Sequence, residues 1–350
     1  MKKFFFVVAL LVVVASCTKN EVIPQNDGNN EITYLTAPLT KASSFGTSNK
    51  FYSYAYLLTS GKNWASNSAT SSLYIDEAKI SYKNNQWKEE SKSYYWPKDA
   101  NSSLTFFAWA DGTPDPAPAM GACSNTTGIV FADYNVAVSK NKDLMVAKIA
   151  ADQTANDDEY KYNGVTQGVP TLFYHVLSSL EIKAKVAAAY PNLTFNVKNI
   201  TLKANSVQGS YTQGVNAGKL PTDDNPWAPA DPAITADLQV YNDAGFTLTT
   251  SEQALAATDA DYRILLPHEF ADSELMQITY DIITEYTGTP VTETVTVSKK
   301  LSEIFTENTP DESWEAGKKY TLTITLSMNE ILWDPAVADW ASGTGTWGIK

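Results

Sequence analysis

Hydrophobic residues in this chain recur with a period of two. In Lys319–Met328 (KYTLTITLSM), Tyr320, Leu322, Ile324 and Leu326 share one parity, and lysine and threonine fill the other. Successive side chains of an extended strand point to opposite faces, so this pattern specifies a half-buried antiparallel strand. The habit repeats along the chain. Phe51–Leu58 is aromatic and alternating, and Leu73–Tyr82 continues it. Lys83-Asn84-Asn85-Gln86 reads as a hairpin turn, with Trp87–Trp96 returning until Pro97 stops it. Leu104-Thr-Phe-Phe-Ala-Trp109, apolar but for Thr105, reads as a buried-type strand. Further strands are expected over Val169–Val186, Leu193–Ala204, Tyr262–Pro267, Leu275–Tyr286 and Val291–Lys299, with Gly288 marking the turn between the last two. Only Ser251–Thr258 and Leu301–Phe305 read as short helices, and no heptads occur. Aromatic residues make up 12% of the chain, a load that suits sheets. The expectation is an all-β protein of two tandem β-sandwiches. At 350 residues the chain is long enough for both. The polar, acidic stretch Asp152–Gly168 supplies the boundary, giving domains over 31–165 and 166–350. Asp111–Pro118 and Pro221–Pro232 are proline-rich surface loops.

The first thirty residues follow a different rule. Lys2 and Lys3 precede an unbroken apolar run from Phe4 to Val14. That run is too short for a bilayer span, which takes roughly 20 residues, and fits a signal-peptide core over 1–16. It ends in Val14-Ala15-Ser16-Cys17, a bacterial lipobox, so Cys17 is the expected lipidation site. Residues 17–30 are polar and read as a tether. With Cys17 lipidated, Cys123 stands alone and an internal disulfide is excluded.

Most chemistry is excluded by what the chain lacks. The formal charge is −13, which repels phosphate backbones, so nucleic acid is not an expected partner. One arginine, Arg263, leaves no bidentate anion clamps. Two histidines, His175 and His268, are too few for a histidine-rich metal centre, and no metal or other cofactor is expected. Gly343-Thr-Gly345-Thr-Trp-Gly348 matches a dinucleotide fingerprint in letters only. The chain ends at Lys350, so no helix can follow to receive a pyrophosphate. Asp223-Asp224 and Asp157-Asp158-Glu159 read as solvated acidic turns, with calcium as the alternative. His175, set among aromatics in a strand, reads as packed and hydrogen-bonded rather than catalytic.

Several segments together resemble the fimbrillins, the pilins of Bacteroidota type V pili. They are the lipobox and Leu39-Thr-Lys41-Ala42; Tyr95-Trp96-Pro97 followed by Leu104–Trp109; Lys142–Ala147; Val169–Leu180, which places His175 on the family's histidine; Trp314–Tyr320; and Ile331–Trp340. Each is weak alone, but they occur in family order over nearly the whole chain. The resemblance implies transthyretin-like sandwiches and a non-enzymatic structural or adhesive subunit. It implies export to the outer membrane as a lipoprotein, removal of the first strand by a maturation protease, and assembly with other fimbrial subunits by donor-strand exchange. Mapped here, Glu31–Ala37 is the removable strand, and Lys41, then Lys50, are the cleavage positions. The family's protease commonly takes arginine, and none precedes Arg263. Trp340, Trp347 and Ile349 are the candidate donor side chains, although Ile331–Trp340 can equally complete the second domain's own sheet. The competing reading is a surface glycan-binding lipoprotein, prompted by the nine tryptophans. Sugar binding needs exposed rings close together, and packing needs buried ones.

Overall fold

The structure is a computed structural model that describes residues 31–36, 46–116, 121–155, 168–256, 262–286, 288–306 and 312–340. It is built of strands, with three one-turn α-helices: α1 (Trp64–Asn67), α2 (Val136–Ser139) and α3 (Leu301–Ile304). Strands are numbered in chain order. The all-β expectation holds. Leu301–Phe305 forms its helix, whereas the expected helix at Ser251–Thr258 gives way to a strand at Gln253–Ala254 that pairs with Lys183–Ala184. One helical turn is weaker than a ladder that a neighbouring edge already offers.

The first sheet contains β1 (Tyr34–Thr36), β2 (Phe51–Leu58), β3 (Ser72–Lys83), β4 (Gln86–Glu89), β5 (Ser103–Ala110), β8 (Met145–Ala147), β9 (Ala150–Gln153), β10 (Val169–Thr171) and β11 (Phe173–His175). Its order is β10-β1-β4-β3-β2-β5-β8-β11, with β9 beside β5. The two ends of that order, β10 and β11, are separated in the chain by Leu172 alone. The sheet therefore curls until its layers face each other and its ends nearly meet. At the β3–β4 turn, Asn84 and Asn85 both have positive φ (53° and 62°), the twin left-handed geometry of a tight hairpin.

At β2 and β5 both faces of this sheet are buried, which is why β5 reads as an almost wholly apolar run. Leu104, Phe106, Ala108 and Ala110 point into the curl with Phe51, Ile80 and Phe173. Phe107 and Trp109 point outward with Tyr52, Tyr54 and Tyr56. A second sheet covers that outer face: β6 (Ala122–Ser124), β7 (Gly128–Asn135), β14 (Gln208–Thr212) and β15 (Trp227–Pro229), in the order β15-β14-β7-β6.

The rest of the chain forms a sandwich. One layer holds β12 (Ser178–Val186), β17 (Gln253–Ala254), β18 (Ile264–Leu265), β23 (Lys318–Leu326) and β24 (Ile331–Asp339). The other is β16-β13-β20-β21, from β13 (Leu193–Ser206), β16 (Thr235–Thr247), β20 (Leu275–Thr284) and β21 (Val291–Lys300). A short pair, β19 (His268–Glu269) with β22 (Ser313–Trp314), closes one end. In β12 and β23 every second residue is buried, as the alternation requires. Strand pairing runs across the division expected at 165/166: β10 and β11 complete the first sheet, and β14 pairs with β7. One apolar cluster extends from Tyr52 to Trp340, so the two units share a continuous core.

Candidate functional site

The strand expected to be removable lies inside the first sheet. Three residues of β1 run parallel to β10 (Tyr34↔Val169, Leu35↔Pro170, Thr36↔Thr171), and Tyr34 pairs antiparallel with Trp87 of β4. Ile32 N–H donates to Tyr94 O at 2.8 Å, and Val169 N–H donates to Thr33 O at 2.8 Å. Glu31 forms an isolated bridge with Tyr95 and faces Lys88 at 3.7 Å. Ile32 and Tyr34 are buried. The Tyr34 ring stands edge-on to Phe51 at 5.5 Å and to Phe106 at 5.9 Å, and Phe51 in turn meets Trp87 and Phe173. Burial holds the Tyr34 phenol well above its usual range; Ser53 eases this slightly, but its hydroxyl donates to Phe107 O. Among the described residues the Tyr34 hydroxyl has no hydrogen-bond partner.

Gly168 explains how β10 comes so close. A Cβ at this position would lie 2.8 Å from the Tyr34 carbonyl carbon and 3.0 Å from its oxygen. Removing β1 would leave β10 and β4 about two strand spacings apart, roughly 9.5 Å, over an apolar floor. Refilling such a slot with an extended segment restores both ladders at once.

Lys50 stands one residue before β2, half-buried, with Glu90 at 3.1 Å and Asp115 at 3.4 Å. The neighbouring Asn49 is buried and closes a turn with Gly46, while its amide donates to Gly112 O. Lys41, Cys17, Trp347 and Ile349 lie outside the described residues. Trp340 directly follows β24, which pairs with β23 over nine residues without a shift, from Leu326↔Ile331 to Lys318↔Asp339. Its N–H donates to Gly317 O at 2.7 Å, and its ring lies flat on His175, with centroids 4.0 Å apart and planes 1° apart. His175 is buried, and its Nδ1 meets Asp143 Oδ1 at 2.8 Å. Trp340 thus sits in its own chain's core, and the strand before it completes the second unit's own sheet.

The His175–Trp340 pair borders a half-open cavity of about 1030 Å³, whose rim carries Asp223, Asp224, Glu269 and Asp339. Across it, buried His268 donates from Nδ1 to Leu266 O at 2.7 Å and meets Glu274 through Nε2 at 2.8 Å. Both histidines are therefore tied down by hydrogen bonds, as read for His175. Among the described residues no three histidine, cysteine or acidic side chains converge to hold a metal ion. Eight of the nine tryptophans are described, and none is exposed: six are buried and Trp96 and Trp333 are half-buried. The eight described rings are packing residues. Neither the Gly168 contact nor the Asp143–His175–Trp340 stack carries a local sequence signal, because each joins positions far apart in the chain.

A curled sheet with β1 seated between β10 and β4, followed by a sandwich on the same core, defines a two-unit all-β scaffold. Residues 40–340 match the profile of the fimbrillin-like proteins, and the chain belongs to that family. A fimbrial protein from Bacteroides vulgatus has a similar solved structure, at 19% identity, with 89% of this chain and 100% of that chain covered and a TM-score of 0.66. A candidate cell adhesion protein from Bacteroides uniformis matches at 16% identity over 89% and 99% of the two chains, with a TM-score of 0.46. The tip fimbrial protein Mfa3 from Porphyromonas gingivalis, truncated at its C-terminus, matches at 9% identity over 89% and 100%, with a TM-score of 0.34. Comparison with curated protein sequences gives no match.

Proposed function

We propose that this chain is a structural or adhesive subunit of a cell-surface fimbria and acts without catalysis. In this reading Cys17 carries lipid to the outer membrane, a protease cuts after Lys41, and β1 leaves with the lipid. The slot between β10 and β4 then receives the tail of another subunit, whose Trp347 and Ile349 provide the apolar side chains. The carrying observation is the position of β1: a three-residue strand, interior to its sheet, whose buried Tyr34, with buried Ile32 just before it, lies within the first forty residues. Sheet interiors are ordinarily held by long strands, and a short one in such a place is suited to replacement by a longer one. About 6–8 new backbone hydrogen bonds at roughly 0.5–1.5 kcal/mol each, with 2–4 newly buried side chains at roughly 1.5–3 kcal/mol each, would drive the exchange. A head-to-tail contact that does not close on itself builds a filament.

Intact mass and N-terminal sequencing of the protein taken from its native cells test this reading. The expected result is an N-terminus at Ala42 together with a ladder of oligomers on mild gels. A lipidated N-terminus at Cys17 with no ladder would sink the polymerising subunit and leave an anchored lipoprotein.

A further inference from the structure

Two of the long free edges of the second unit are interrupted along their length. β24 carries Pro335 at its centre, and β16 pairs with β13 through repeated register shifts. β21 has neither device. Its ten residues contain no proline and pair with β20 position by position, from Val291↔Thr284 to Lys300↔Leu275, with no bulge. Its other side is a sheet edge, and most of its residues are exposed. A straight edge of this length invites another strand.

The sequence of β21 specifies which strand fits. Glu293-Thr294-Val295-Thr296-Val297-Ser298-Lys299 is self-complementary about Thr296. When two copies run antiparallel with Thr296 opposite Thr296, Val295 faces Val297, Thr294 faces Ser298, and Glu293 faces Lys299, every pair twice. Residues opposite one another in an antiparallel ladder share a face, so each pairing joins like with like or charge with opposite charge. Val295 and Val297 already pack against the core and would extend it across the junction. Neither Glu293 nor Lys299 has an ion-pair partner among the described residues. A shift of register by two residues sets Glu293 against Val297 and leaves both charges unmatched, so the arrangement is specific.

We infer that β21 is a two-fold contact with a second copy of this chain, joining the two β16-β13-β20-β21 layers into one eight-stranded sheet. The contact uses the edge farthest in its sheet from β16 and does not involve the β1 slot, so it stands independently of strand exchange. An isologous contact of this kind links subunits sideways, whereas strand exchange links them end to end.

Cysteine cross-linking reads the register directly. Residues opposite each other across an antiparallel pair have Cα atoms about 4.5–5.5 Å apart, within disulfide reach, while residues four positions out of register are displaced by roughly 13 Å along the strand. The full chain purified in detergent, oxidised with glutathione disulfide, should give a reducible dimer for Thr296→Cys. Thr294→Cys and Ser298→Cys should give none singly and a dimer when combined. The natural chain, which retains half-buried Cys123, is the control. Adding Glu293→Lys to Thr296→Cys should slow dimer formation roughly tenfold, because both ion pairs become repulsions, and adding Lys299→Glu as well should restore it. No dimer at Thr296→Cys overturns the inference, as does equal cross-linking at all three positions or a yield indifferent to the charge reversals.

Discussion

The Tyr34 ring separates the two states of the chain that the proposed assembly requires. It fills the centre of the curl between Phe51 and Phe106, and truncation to alanine leaves a ring-sized void there. Loss of a buried aromatic costs about 3–5 kcal/mol, an upper bound here because so short a strand can detach instead. Tyr34→Ala should therefore lower the stability of the unprocessed chain by about 2–4 kcal/mol while leaving the processed protein unchanged, since that protein no longer contains residue 34. Denaturant melts of the two forms check this. Equal destabilisation of both would mean that β1 is never removed. Other groups held largely away from water set an alkaline limit. Burial pushes the Cys123 thiol up to about 12 from 9.0, and the Tyr74 phenol up to about 12 from 10.0. Tyr54 and Tyr56 move the same way, again because of burial. A group kept neutral by the fold adds stability in full below its unfolded value and loses it as pH rises through its folded value. Stability should thus be flat up to about pH 9 and fall steadily from pH 9 to 12. Following unfolding and tyrosinate absorbance together would show the two rising as one transition. Phenols titrating at their ordinary value in an intact fold would contradict it.

At the level of elements, the two candidate cleavage positions differ in what a protease must disturb. A protease needs several extended, accessible residues on each side of the bond. Lys50 is gripped by Glu90 and Asp115, preceded by the Gly46–Asn49 turn and followed directly by β2, all six first residues of which are buried. Cutting there would require the first sheet to open. Lys41→Gln is therefore expected to abolish processing, and Lys50→Gln to leave it intact with little change in stability, because solvent screens its ion pairs. Mass spectrometry of the surface protein from each variant decides the matter, and a new N-terminus at Phe51 in the Lys41→Gln variant would reverse the assignment. The elements themselves were largely legible from the period of two: β2, β5, β12, β20, β21 and β23 lie where the alternation or, for β5, the mostly apolar run placed them. The Trp87–Trp96 strand was read too long, because aromatic residues continue past Glu89 while the ladder does not. β7, β14 and β16 carried weaker signals, since their glycines, aspartates and asparagines interrupt the alternation at the bulges they form. The site was less legible than the fold. The position of β1 between β10 and β4 depends on a pairing between residues more than 130 apart, and Gly168 shows its purpose only once Tyr34 lies against it.

For the whole molecule, the junction between the units decides how much tail can be given away. β24 pairs with β23 along its full length, and Trp340 covers His175, whose Nδ1 meets Asp143. These contacts bind the last strand of the sandwich to the last strand of the curled sheet, so a subunit that surrendered residues 331–340 would lose an edge strand and its inter-unit stack together. A donor segment must therefore begin after Trp340. It follows that ending the chain at Trp340 should leave a folded subunit, with a melting temperature within a few degrees of the natural chain. That subunit could still accept a strand from a neighbour but could not donate one. Mixed with the processed natural protein, it should terminate growth and shorten the oligomer ladder in proportion to its share of the mixture. Ending the chain at Glu330 should instead destabilise the second unit, by more than the roughly 1.5–3 kcal/mol of a single buried side chain, because a whole ladder and the Trp340 ring go with it. Size-exclusion chromatography of the mixtures, together with thermal melts of both truncations, separates the two effects. Undiminished polymerisation by a chain ending at Trp340 would place the donor elsewhere and remove Trp347 and Ile349 from the assembly scheme.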